Sequence, residues 1–123
     1  MQNDNVKFKN EFNNRLIVFS LKIIKLCNAI RRDRNLWSIA DQLIRSATSI
    51  GANIIEAKAA SSKKDYLKFF EIALKSANET TYWLILTKES CSQMVNQINQ
   101  LLQEVEEIGK IIGAGILTMK SKR

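Results

Sequence analysis

The sequence predicts an all-α protein, an up-down-up-down four-helix bundle, and three observations predict it. The chain has no proline and only four glycines, so little in it stops a helix. Apolar residues recur at three-and-four spacing through four long stretches, which is the period of one helix face. Short polar breaks separate those stretches, and helices joined by short links must alternate in direction. At 123 residues the chain is one domain by size, long enough to bury a core.

The first helix is expected over about residues 6–33. Phe8, Phe12, Phe19, Ile23, Leu26 and Ile30 form its stripe, with Arg15, Lys22 and Lys25 off it. RRDRN, residues 31–35, breaks it, and Asn35 is read as the next N-cap. The second helix is expected over about residues 36–60. Ser62 and Asp65 then give a Ser-x-x-Asp pattern that resembles a capping box. The third helix, about residues 63–89, carries Tyr66, Phe69, Phe70, Ala73, Leu74, Ala77, Leu84 and Ile85. Ser90 and Gln93 give a second capping-box candidate. The fourth helix, about residues 93–119, is built on Val95, Ile98, Leu102, Val105, Ile108, Ile112, Ile116 and Met119. Gly109, Gly113 and Gly115 near its end read as a fraying last turn or a close helix contact. Each helix is on the order of 40 Å long.

Residue types absent from the chain narrow its chemistry. It has no histidine and two cysteines. That leaves no His-based general base, no His-ligated metal and no Cys-rich zinc site within one subunit. Cys27 and Cys91 are expected as reduced, partly buried thiols. A di-iron bundle needs Glu-x-x-His pairs, and no P-loop or nucleophile–base pair is present. Glu56 and Glu79 look buried and are assigned a structural role, so no catalytic residue, metal or cofactor is expected. The polar start of the chain lacks the apolar run of a signal peptide, and Lys22 and Lys25 interrupt the longest apolar stretch. We expect a soluble, cytoplasmic, non-enzymatic protein.

The second helix contains a run with an unusual surface. From Ser46 to Ala57 the only charge is Glu56. Leu43, Ala47, Ile50, Ile54 and Ala57 share an arc of about 80° on the helical wheel. Ser46, Ser49, Asn53 and Glu56 form a narrow polar stripe beside it. The side left for water holds Thr48, Ala52 and Ala59. The third helix repeats the pattern: from Ser76 to Thr87 the only charge is Glu79, which leaves Asn78, Thr80, Thr81, Tyr82 and Trp83 for the outer face. Two uncharged outer faces call for a cover, and a second copy of the chain is the simplest one. Ser49, Ala52, Asn53, Glu56, Ser76 and Glu79 are therefore read as an oligomer interface and buried polar motif. Asn53, Glu56 and Glu79 need partners within or between subunits.

The net charge is +7, from 19 basic and 12 acidic residues, which suggests an anionic partner. In an up-and-down bundle both termini and the second connection share one end. That end collects Lys7, Lys9, Lys58, Lys63, Lys64, Lys68, Lys120, Lys122 and Arg123 against Asp4, Glu11 and Asp65. Repeated around an oligomer, it would attract phosphates with strong salt dependence. Lys58, Lys63, Lys64, Lys68, Lys120, Lys122 and Arg123 are the candidate nucleic-acid contacts. No RNP-like aromatics, KH loop or helix-turn-helix spacing is present, so binding would read backbone and shape. The alternative is a protein-interaction scaffold or accessory subunit with a merely solvated basic end.

The segment Leu43–Leu84 resembles the four helix bundle protein family, also called 23S rRNA intervening-sequence proteins. The resemblance is carried by SIGANIIEA, Ser49–Ala57, and KKDYLKFFEIALKSANET, Lys63–Thr80. Asn-Ile-x-Glu falls on Asn53, Ile54 and Glu56; the aromatic-spaced helix falls on Tyr66, Phe69 and Phe70; Ser-x-x-Glu falls on Ser76 and Glu79. The resemblance implies a closed bundle that assembles side by side into a ring, typically a homopentamer. It also implies a bacterial source and a ribosomal-protein-like label. A similar bundle is the accessory protein of diversity-generating retroelements, a basic pentamer that binds nucleic acid and a reverse transcriptase.

Overall fold

The computed structural model describes residues 4–122, and in residues 4–7 and 9 the backbone alone. Four helices follow one another: α1 (Asp4–Ile30), α2 (Trp37–Lys58), α3 (Lys63–Ser90) and α4 (Val95–Ser121). Single 3₁₀ turns, Arg34–Leu36 and Ser92–Met94, lead into α2 and α4. Among the described residues there is no strand. The protein is an all-α four-helix bundle. Successive helices pack against each other, most extensively α2 on α3, and α1 meets α4 more sparsely to close the circuit.

The core follows the apolar stripes. Phe19, Ile23, Leu26, Leu43, Ile50, Leu84, Ile98 and Ile112 are fully enclosed. Burying a side chain of this size stabilises the fold by roughly 1.5–3 kcal/mol. Leu16 and Leu101 join them, although the expected stripes name neither. Leu101 takes the buried place and leaves the expected Leu102 half-buried. Phe8 and Ile85, expected in the core, are exposed. Gly51 lies where α1 and α2 touch, and a Cβ there would meet the Cβ of Leu16 at 3.5 Å, an ordinary contact distance.

The helix ends divide the capping expectations. Ser62 caps α3 as read, its hydroxyl accepting from the Asp65 N–H at 3.1 Å. Asn35 is not the cap of the second helix. Asp33 takes that role for the 3₁₀ turn and accepts from the Asn35 N–H at 3.0 Å. Ser90 is not a cap either: α3 runs through it, and Cys91 supplies the extended residue before the next turn. The first helix accordingly ends at Ile30 rather than near residue 33, and the fourth starts at Val95.

Candidate functional site

The α2–α3 connection and the end of α4 come together at one end of the bundle. The Lys63 ammonium donates to the backbone carbonyl of Lys122. Lys58, Lys63, Lys64, Lys120 and Lys122 therefore share that end, with Lys68 one turn further along α3. All six are exposed. Lys120 faces Glu71 at 3.8 Å, and no other of the six takes part in a salt bridge among the described residues. Asp65 and Glu71 line the same shallow surface as Lys64, Lys68 and Lys75, so the α3 side of the patch is partly neutralised. Arg123 and the side chains of Asp4, Lys7 and Lys9 lie outside the described residues.

The opposite end has different chemistry. Arg31 pairs with Asp41 at 2.6 Å, its carbonyl accepts from the Trp37 indole at 2.7 Å, and Arg34 lies 5.5 Å over the Trp37 ring. These arginines are committed to shaping the α1–α2 turn.

The small-residue motif sits largely inside the subunit, on the α2–α3 seam. The Ser49 and Ser76 hydroxyls are 2.9 Å apart, and the Asn53 amide donates to the Ser49 carbonyl and hydroxyl. One turn away the Thr80 hydroxyl donates to the Ser76 carbonyl and lies 3.0 Å from the Ser46 hydroxyl. Small side chains let α2 and α3 approach closely, and their hydroxyls satisfy one another. Thr80, expected on the outer face, is fully buried. Glu56, expected to be buried, is exposed. Glu79 is half-buried, pairs with Arg45 at 2.5 Å and accepts weakly from the Trp83 indole at 3.4 Å. Ala52 is exposed.

Arg15 closes the side where α1 meets α4. It grips Glu104 through two bonds of 2.8 Å and reaches Glu107 at 2.6 Å. Hydrogen bonding to Arg15 holds the Glu104 carboxyl below its usual range, and the Arg15 charge adds to this. Among the described residues no cluster of three metal-capable side chains occurs, and no helix is long and apolar enough to cross a membrane.

A family model for the 23S rRNA-intervening sequence protein matches residues 9–114. The chain belongs to that family. A similar solved structure is that of a Bacteroides thetaiotaomicron VPI-5482 protein, described as having unknown function and coming from the S23 ribosomal protein family. It shares 33% identity, with a TM-score of 0.80 over 85% of this chain and 97% of that one. Comparison with curated proteins finds no match.

This intervening-sequence family member also exposes an apolar stripe on α1 that was not expected, while Ala52 and Tyr82, expected on outer faces, are exposed. On α1, Ile17, Val18, Leu21 and Ile24 face outward, with Leu21 59% exposed. Diagonally across the bundle, α3 presents Tyr82 and Ile85 toward the end opposite the lysines, and α2 exposes Ala52 and Ile55 nearer the lysine-rich end. The signal was available. The run from Leu16 to Ile30 is apolar on more than the one face that a core needs.

Proposed function

We propose that the protein is a non-enzymatic, oligomeric helical bundle of the cytoplasm that binds the RNA or DNA backbone through its lysine-rich end. The carrying observation is the contact between Lys63 and the Lys122 carbonyl, which gathers Lys58, Lys63, Lys64, Lys120 and Lys122. These are flexible point charges on an exposed surface, suited to phosphates rather than base edges. Self-association is supported by the apolar faces on diagonal helices. Two different faces pointing opposite ways suit head-to-tail contacts, which form a ring when the rotation between copies closes. A ring would set several lysine clusters side by side and strengthen the attraction for a polyanion.

The experiment is binding to labelled structured RNA, duplex DNA and single strands across a salt series. Wild type should weaken steeply with salt. Lys63→Glu with Lys64→Glu should weaken binding to every strand and lower the salt slope by about 2. Unchanged binding in that double variant would remove the lysine end as the site. The second reading, a protein scaffold, draws on the α1 apolar stripe. It gains if no nucleic acid binds even at low salt.

A further inference from the structure

A cavity of about 510 Å³ opens within the lysine-rich end. All four helices line it. Phe12, Ile54, Tyr66, Phe70 and Met119 supply apolar walls, while Lys58 and Lys122 belong to both the cavity and the basic patch. Tyr66 and Phe70 stack at 4.7 Å with planes 22° apart. Gly115 makes room for the Phe70 ring against α4: a Cβ there would lie 2.9 Å from a Phe70 ring carbon. Asn13 also lines the cavity, and Tyr66 adds a phenol to its apolar ring. Burial raises the pKa of that phenol, so it stays protonated and able to donate.

We propose that this cavity takes an unstacked nucleobase from a looped or single-stranded nucleic acid, with the flanking phosphates on Lys58 and Lys122. The proposal rests on the reading of the lysine-rich end as a backbone-binding surface and adds a preference to it. Lysine-only binding treats duplex and single strand alike apart from charge density. An aromatic pocket between lysines does not, because only an unpaired base can enter it. Charge complementarity selects this occupant: the two exposed lysines that line the cavity, Lys58 and Lys122, suit phosphates on either side of an extruded nucleotide. Asn13 and Tyr66 give the lining polar side chains that suit a base edge better than an alkyl chain.

The test compares three probes under one buffer condition: an RNA single strand, the same strand with its central base removed, and a duplex of equal length. The base-bearing strand should bind roughly 10-fold more tightly than the abasic strand. Gly115→Leu should abolish that preference by displacing the Phe70 ring, with salt-dependent duplex binding retained. Thr118→Trp, at an exposed residue lining the cavity, should do the same by filling it from the rim. It guards against a folding defect in the first variant, and circular dichroism checks both. Equal affinity of wild type for intact and abasic strands overturns the base pocket and leaves the backbone-binding reading standing. Persistence of the preference in both variants also overturns the pocket. Failure of all three probes to bind overturns the backbone-binding reading, and this inference with it.

Discussion

The two thiols occupy opposite environments. Cys27 is fully buried and its Sγ donates to the Ala40 carbonyl at 3.5 Å, while Cys91 is half-buried. Burial pushes the Cys27 thiol up to about 11; Arg31 opposes the shift and Asp41 adds to it. Only thiolates attack alkylating reagents. At pH 8 a thiol reagent should therefore modify Cys91 first and reach Cys27 only on unfolding. Mass mapping after timed labelling would show it, and equal native rates at both sites would contradict the assignment. The pH consequence has a definite sign. The folded value lies above the unfolded one of about 8.5. The stabilisation from a neutral buried thiol is thus full below that pH and is lost as pH rises through about 11. A buried thiol was readable from the sequence, because Cys27 adjoins the Leu26 and Ile30 stripe. Its neighbours Ala40 and Asp41 were not, because they reach Cys27 only through the turn into α2.

At the element scale, local chemistry was legible where few atoms decide the outcome. Ser62 precedes α3 and caps it, as the Ser-x-x-Asp spacing indicates. Ser62→Ala should cost about 1 kcal/mol, seen as a lower midpoint in thermal denaturation by circular dichroism. The same kind of signal failed at Ser90, an exposed residue that α3 runs through before the chain turns at Cys91. Pairing between distant helices was not legible at all. Nothing local joins Arg15 to Glu104, 89 positions away. Both side chains are partly exposed, so solvent screening keeps the worth of the pair modest. Its pH signature is still testable. The depressed Glu104 carboxyl contributes stability above its unfolded value, and that contribution is lost as pH falls through the folded one. Glu104→Gln should therefore destabilise the fold near neutrality and flatten the acid limb of stability against pH. An unaltered acid limb in urea titrations would show that the pair contributes nothing.

At the scale of the whole molecule, the exposed apolar stripe on α1 and the exposed apolar residues of the other helices, Ala52 and Ile55 on α2 and Ile85 on α3, together motivate assembly. In an isolated bundle, Leu21→Arg or Ala52→Arg changes a solvated surface and should stay within about 0.5 kcal/mol. In a ring that buries both faces, either charge would stop assembly. Light scattering on wild type should give a multiple of 14.1 kDa, and each variant should fall toward a single chain. Wild type scattering as one chain at micromolar concentration would end the assembly proposal, and with it the ring of lysines.

The amino-acid sequence dictates the helices, their order and the end that carries the lysines. Those follow from a 3.6-residue period, the lack of proline and short connections, all of them local properties of the chain. It also marked Ser46–Ala57 as unusual. Which neighbour those small residues serve was decided only in three dimensions. They face α3 through the Ser49–Ser76 and Ser46–Thr80 hydroxyl contacts, because a helix pair packs this closely only when small residues on both partners coincide. The aromatic cavity beside Lys58 and Lys122 is likewise a tertiary product. Its walls come from all four helices, and no stretch of sequence records how far apart four helix ends will settle.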